Sequence, residues 1–384
     1  MMRLPKFQFF APRSLAEACE VLAGEGPDAM VIAGGTDLIP NMKRRQQQPR
    51  ALVSLSRVAE LRARESQDKG AGLSLGASHT LSDIAVDSLV RGRYVALEKA
   101  ASLVATPLIR NQATLGGNLC LDTRCNYYNQ NAEWRRSIDN CMKAPRETTG
   151  VFTTALFVAG SAERQQKSGD EPGSICWVAP GSPRCWAVSS SDTAPALVAT
   201  GAFVVLASRS GSGVTERRIP LAALYNNDGM AYLTKRPDEI LVRVELPDME
   251  GWATTYWKLR RRGSFDFPVL GVGAAVKRAP SGEVVEARIV LGAVASYPVV
   301  ADKAAAALVG GPLTDERIAA AADAAVKLSK PLDNTDFALG WRKSVTRAYV
   351  EGALKELRGD APETLGLLAR RAQRAVALPM IQPG

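Results

Sequence analysis

The chain has 384 residues, 46% of them apolar and 23% charged. That length suits two or three domains, and the balance is that of a globular chain rather than a disordered or membrane-spanning one. The formal charge is +9, but the basic runs Lys43-Arg44-Arg45, Lys258 to Arg262 and Arg370 to Arg374 are short, scattered and free of interleaved aromatics. They read as solvated faces or a patch for an acidic partner or ligand, not as a nucleic-acid surface.

No apolar stretch approaches the ~20 residues of a transmembrane helix. The start, MMRLPKFQFFAPRSL, has no apolar h-region and no small-residue cleavage site, so no signal peptide is read and a cytoplasmic protein is expected. In a reducing compartment, clustered cysteines point to metal more than to disulfides.

In chain order, residues 14–25 predict a helix, with Ser14 and Glu17 spaced as a capping box. A strand at 29–32 runs into Ala33-Gly34-Gly35-Thr36-Asp37, and another at 51–55 closes a small βαβ-like unit near residue 57. A strand at 73–75 precedes Thr80, which caps a helix running through Ile84. Residues 94–104 read as helical. The segment 120–190 breaks this rhythm. It is rich in Asn, Arg, Gly, Ser and Pro and holds five of the six cysteines. A structureless loop of that length is uncommon unless something other than a core pins it, and a metal centre does so by lending its binding free energy to folding.

A helix at 193–200 and a strand at 203–207 follow, then a hairpin turn at 210–213. The strand at 240–246 ends at Pro247, a domain boundary. Strands at 254–260, 271–277 and 284–294 and helices at 301–309, 315–329 and 341–357 complete an α+β pattern. Residues 360–384 form a Pro-flanked tail with one amphipathic stretch, Leu365 to Val376. The expected division is 1–57, 58–247 with the insertion at about 120–190, 248–357, and a tail at 358–384.

The turns at Gly34-Gly35 and Gly116-Gly117 are the first chemical signal. Paired glycines lack Cβ atoms, so backbone N–H groups can converge on an anion. Thr36, Thr114 and Asn118 add side-chain donors, and two such turns suit the two phosphates of a dinucleotide. Gly271-Val272-Gly273 lacks the third glycine of a Rossmann fingerprint and leads into a strand rather than a helix, so it is rejected.

The second signal is Cys125, Cys141, Cys176 and Cys185, with fifteen, thirty-four and eight intervening residues. Four thiolates hold iron–sulfur clusters and structural zinc alike. The absence of a C-x2-C knuckle counts against zinc. The residues alone leave a cluster, zinc and no metal open, with Cys120 a competitor for Cys125. Tyr127, Tyr128, Trp134, Trp177 and Trp186 flank the four, either as packing under a loop or as an apolar shell. Cys19 lies on the apolar face of the first helix and reads as a structural thiol. His79 is the only histidine; it completes no Ser-His-Asp triad or His-rich zinc site and reads as structural.

Three motifs in order carry a resemblance: Ala33-Gly34-Gly35-Thr36-Asp37-Leu38, then Ile109 to Cys120 with Thr114-Leu115-Gly116-Gly117-Asn118, then Asp192-Thr193-Ala194-Pro195-Ala196-Leu197. They resemble the FAD-binding medium subunit of molybdenum hydroxylases, the xanthine dehydrogenase and carbon monoxide dehydrogenase flavoproteins. Lys258 to Val272, with Asp266-Phe267-Pro268-Val269-Leu270-Gly271, is similar to that family's C-terminal domain. The match covers roughly residues 5 to 355. The cysteine-bearing insertion between the second and third motifs looks like the β subunit of 4-hydroxybenzoyl-CoA reductase. The stretch around Thr148 to Asp170 and the tail after about residue 356 are extra to that pattern.

The resemblance implies a two-part FAD-binding domain (PCMH-type) followed by a smaller α+β domain. Val31, Ile32, Ala33, Gly34, Gly35, Thr36, Asp37 and Leu38, with Thr114, Leu115, Gly116, Gly117 and Asn118, would wrap the FAD pyrophosphate. Val104 would touch the flavin, Asp192 would hydrogen-bond the cofactor, and Lys258 would lie near the flavin edge. The four cysteines would bind a [4Fe–4S] cluster, leaving Cys120 to the flavin motif. No catalytic residue falls on this chain.

The implied partners are a molybdopterin-containing large subunit and a [2Fe–2S] small subunit in a dimer of heterotrimers. Electrons would come from ferredoxin through [4Fe–4S] and FAD to [2Fe–2S] and molybdenum, for reductive dehydroxylation of an aromatic acyl-CoA. The alternatives are a hydroxylase flavoprotein passing electrons outward to NAD or a quinone, and a zinc-stapled binding protein with no redox role.

Overall fold

The computed structural model describes residues 3–66, 72–144, 173–211, 213–262, 265–361 and 363. The extra stretch at 148–170 and the amphipathic tail Leu365 to Val376 lie outside them. Three sheets organise the chain, each with its own hydrophobic core.

The first is a parallel sheet of three strands in the order Gln8–Phe10, Ala51–Ser54, Ala29–Ile32. Helix Leu15–Glu25 covers it with Leu15, Ala18, Cys19 and Leu22, the three- and four-residue spacing of one helix face. Ser14 Oγ accepts the Glu17 amide at 3.2 Å. The reciprocal half of the expected capping box is displaced: Glu17 takes the amide of Arg13, not of Ser14, at 2.7 Å. The box is instead complete at Thr80 and Asp83, which start helix Leu81–Val86.

The second sheet is antiparallel, ordered Arg64–Ser66, Leu73–Gly76, Ile240–Leu246, Phe203–Ser210, Gly213–Pro220. Its central strand comes from the far end of the segment, so the chain must fold back over about 160 residues to complete it. Helix Thr193–Thr200 is buried along its whole length and ends at Gly201 in the left-handed region. One face of this helix meets the third sheet, where a Cβ on Gly273 would stand 2.4 Å from the Pro195 carbonyl oxygen. That contact explains a glycine in the rejected Rossmann-like run: it lets a helix approach the strand.

The third sheet is antiparallel, ordered Val299–Val300, Val284–Gly292, Leu270–Arg278, Trp252–Leu259. Helices Asp302–Ala306, Asp315–Val326 and Leu339–Arg358 pack with it into one core, so the α+β expectation holds. No described helix is long and apolar enough to cross a membrane.

The described parts of the cysteine-bearing insertion are more than an open loop. A bridge between Arg124 and Val188 closes its base, and helix Ala132–Ser137 sits inside it. It grips the first unit. Arg135 donates to the carbonyls of Arg44 and Arg45, both at 3.0 Å. Gln46 and Tyr128 exchange side-chain-to-carbonyl bonds of 2.7 and 3.2 Å.

Candidate functional site: a flavin-sized cleft beside four buried cysteines

A cleft of about 2150 Å³ runs between the first and second units and reaches Phe265, Asp266 and Phe267 from the C-terminal part. Drug-sized ligands occupy about 300–1,000 Å³, so this space suits a longer molecule such as a dinucleotide. Both glycine turns line it. Val31, Ile32, Ala33, Gly34, Gly35, Thr36, Asp37 and Leu38 form one wall; Val104, Thr114, Gly116, Gly117, Asn118 and Asp192 belong to the others. Two expected residues do not line it. Leu115 is in the core, and Lys258 lies behind Asp192.

The two turns touch. A Cβ on Gly34 would overlap the Gln112 carbonyl oxygen at 1.8 Å, so only glycine lets the first turn come this close to the segment that enters the second. The second turn is a short helix, Leu115–Leu119, rather than the open turn expected; Thr114 Oγ1 caps it by accepting the Gly117 amide at 3.1 Å. A Cβ on Gly117 would meet only that hydroxyl oxygen, at 3.0 Å, and otherwise intrude on open space. Asn118 is also committed: its Oδ1 accepts from Ser191 Oγ, Thr193 N and Thr193 Oγ1 at 2.8, 3.2 and 2.7 Å. It thereby ties the glycine motif to the start of the Asp192 helix. Ser190 lines the same cleft with a buried hydroxyl that has no partner among the described residues. A buried polar group without a partner is costly, and a ligand oxygen or nitrogen would satisfy it.

Asp192 sits where the second unit meets the third sheet. Tyr256 Oη donates to Asp192 Oδ1 at 2.8 Å, and Lys258 Nζ donates to Oδ2 at 2.8 Å. Lys258 also donates to the Leu103 carbonyl at 3.0 Å, next to the cleft residues Val104 and Ala105. Its side chain is 0% exposed. Burial pushes the Asp192 carboxyl above the usual carboxylate range, opposed by Lys258 and the Tyr256 hydroxyl. Both oxygens of Asp192 are therefore held by protein donors.

Cys125, Cys141, Cys176 and Cys185 are all buried, all free, and all border one small enclosed gap. Tyr127, Tyr128, Met142, Trp177 and Val178 pack around it. Cys120 lines the flavin-sized cleft instead. Burial pushes the Cys125 and Cys185 thiols up to about 12 and raises Cys141 as well. Among the described residues no group of three or more His, Cys, Asp or Glu is close enough to hold a single metal ion. The four thiols share a gap without converging on one point.

Tyr128, Met142 and Lys143 line both the gap and the cleft. Lys143 is buried in that wall, bonded to Asp122 Oδ1 at 2.6 Å, to the Gly229 carbonyl at 2.7 Å and to Thr123. Its ammonium lies 4.8 and 5.3 Å from the ring centres of Tyr128 and Tyr232. The sequence reading missed Lys143, Ser190 and Arg124. Nothing in the sequence marks them, since a lone basic or hydroxyl residue becomes informative only when it is buried. Arg124 Nη1 donates to Asn41 Oδ1 at 3.2 Å, its Nη2 pairs with Asp37, and its guanidinium lies 4.5 Å from the Phe267 ring centre. Burial lowers Arg124 to about 10, which leaves it cationic at neutral pH. His79 sits at a turn with Nε2 3.3 Å from the Ala63 carbonyl; its own carbonyl accepts the Leu115 amide at 2.9 Å, and its side chain lines neither the cleft nor the gap.

Residues 5–249 match the FAD binding domain in molybdopterin dehydrogenase, and residues 254–357 match the CO dehydrogenase flavoprotein C-terminal domain. The chain is 26% identical over 354 residues to the carbon monoxide dehydrogenase medium chain of Hydrogenophaga pseudoflava, covering 91% of this chain and 96% of that one. It is 31% identical over 276 residues to the aldehyde oxidoreductase FAD-binding subunit PaoB of Escherichia coli, covering 71% and 76%. The solved carbon monoxide dehydrogenase from Hydrogenophaga pseudoflava superposes with a TM-score of 0.69 at 25% identity, over 92% of this chain and 98% of that one. The matched ranges take in the paired glycine turns, the cleft they line and the α+β C-terminal unit: this chain belongs to the FAD-binding flavoproteins of the molybdenum hydroxylases.

Proposed function

We propose that this chain is an FAD- and [4Fe–4S]-containing electron-transfer subunit of a molybdenum enzyme complex. One observation carries the reading: the gap bordered by four buried cysteines and the flavin-sized cleft share a wall of Tyr128, Met142 and Lys143. FAD takes up or releases one or two electrons, and a cluster one at a time, which suits a relay rather than substrate chemistry. On this chain the two glycine turns seat the pyrophosphate, Ser190 offers a hydroxyl to the cofactor, and Asp192 with Lys258 fixes the backbone at Val104. Cys125, Cys141, Cys176 and Cys185 hold the cluster. Four thiols spread around a gap suit a several-iron group better than one zinc ion, and the apolar shell keeps water from it. The division at residue 57 separates the two halves of the flavin domain, and that at 247 separates them from the C-terminal unit.

The complex is completed by a molybdopterin large subunit and a [2Fe–2S] small subunit. The medium-chain name of the Hydrogenophaga pseudoflava relative supports a multi-subunit assembly, and the solved enzyme from that organism, which lacks the Mo-pyranopterin moiety of its molybdenum cofactor, supports a molybdenum partner. The cysteine insertion favours a 4-hydroxybenzoyl-CoA reductase-like role, with electrons entering from a ferredoxin-like donor for reductive dehydroxylation of an aromatic acyl-CoA. A hydroxylase running electrons outward to NAD or a quinone is the second reading. It is favoured by relatives such as the nicotinate dehydrogenase FAD-subunit of Eubacterium barkeri, 28% identical over 319 residues.

The test is anaerobic purification of the complex with iron, acid-labile sulfide and flavin measured together, followed by a reductive titration. Cluster iron and sulfide that vanish in Cys176→Ser while flavin stays support the ligand set. Flavin with no iron or sulfide in the parent protein would end the cluster reading. A cluster potential well above the flavin's would favour outward flow.

A further inference from the structure

The first glycine turn ends in an acid. Asp37 lines the cleft beside Gly34, Gly35 and Thr36, where a carboxylate faces the two negative charges of a pyrophosphate. In a partly buried cleft that repulsion is screened less than in water. The structure answers it with a buried cation. Asp37 Oδ1 pairs with Arg124 Nη2, and Asp37 Oδ2 accepts from Asn41 Nδ2 at 3.0 Å. Neither Arg124 nor Asn41 is among the cleft-lining residues, so both hold the carboxylate from behind the wall. Phe267, a cleft residue from the C-terminal part, stacks on the same guanidinium at 4.5 Å.

We propose that Arg124 is a positioning residue for FAD: by neutralising and holding Asp37, it makes the first glycine turn fit for a diphosphate. The proposal rests on the reading that the pyrophosphate lies at the two glycine turns. It gives a role in flavin binding to a side chain contributed by the cysteine-bearing insertion.

The test uses the full-length chain stripped of FAD, with Kd read from the quenching of flavin fluorescence and folding checked by circular dichroism. Arg124→Met is expected to weaken FAD binding about tenfold or more, because it leaves an unpaired carboxylate beside the phosphates. Arg124→Met with Asp37→Asn is expected to recover most of that loss, a rescue that a merely packing role would not produce. Gly117→Val, which fills the other turn, is expected to weaken binding in either background.

Weak binding in Gly117→Val with unchanged binding in Arg124→Met overturns the role of Arg124 while keeping the phosphate seat. Failure of Asp37→Asn to rescue overturns the charge account. Full affinity in Gly117→Val overturns the phosphate seat, and this proposal with it. If Arg124→Met does not fold, Asp37→Asn alone decides: freeing the cation predicts binding at least as tight as the parent, with a steeper loss on adding salt, and weaker binding overturns the proposal.

Discussion

Lys258→Met tests the junction between the second unit and the third sheet most directly. Lys258 is fully buried and gives its ammonium protons to Asp192 Oδ2 and the Leu103 carbonyl, at 2.8 and 3.0 Å. Methionine keeps the volume and removes the charge. Asp192 is then a buried carboxylate with one donor left, Tyr256. Stranding one member of a buried ion pair costs about 3–5 kcal/mol, and an orphaned carbonyl adds about 1 kcal/mol. Against the roughly 5–15 kcal/mol that holds a typical domain, this is a large fraction. Urea unfolding followed by tryptophan fluorescence measures the loss. The sign with pH is also set. Asp192 already has a raised pKa from burial, and losing Lys258 raises it further. Protonation then relieves the cost, so the deficit against the parent is expected to be smaller at pH 5 than at pH 8. Lys258→Met with Asp192→Asn is expected to recover part of the loss. A deficit under about 1 kcal/mol, or one independent of pH, would refute the claim that this pair is a buried, mutually dependent contact.

Other expectations follow from separate contacts. Gly273→Ala places a methyl 2.4 Å from the Pro195 carbonyl oxygen; the helix must back off the sheet, costing about 1–3 kcal/mol in a denaturation curve. Glu239 has a fully covered carboxylate bonded to Arg217 at 2.5 and 2.8 Å. Burial raises its pKa, but the bonds to Arg217 and the Arg236 amide outweigh this and the net value is lowered. A depressed carboxylate stabilises the fold above its unfolded pKa and loses that stability as pH falls through the folded value. Melting temperature is therefore expected to drop below about pH 4.5 in the parent, and more shallowly in Glu239→Gln. Cys176→Ser is expected to lose the iron–sulfur absorbance while largely keeping FAD; loss of neither would refute its place in the ligand set.

Much of the site was legible because its signals are local. The Gly34-Gly35 and Gly116-Gly117 pairs, Asp192 before its helix, and four cysteines crowded into one segment are features of residue type and short spacing, and backbone sterics and thiol chemistry restrict what such residues are for. Periodicity likewise placed the helix at 15–25, the helix at 193–200 and the antiparallel strands of the C-terminal unit within a few residues. Tertiary structure decided what depends on burial and on partners distant in sequence. Gly34 is needed because Gln112 lies against it, Asn118 Oδ1 ties the cleft wall to the start of the Asp192 helix, and Glu17 reaches Arg13. Arg124 and Lys143 look like any surface cations in the sequence; only the fold buries them, one against Asp37 and the other in the wall between gap and cleft. The physical reason is that a charge acquires a specific task only where water is excluded and its partner is fixed, and both conditions are properties of packing, not of the order of residues.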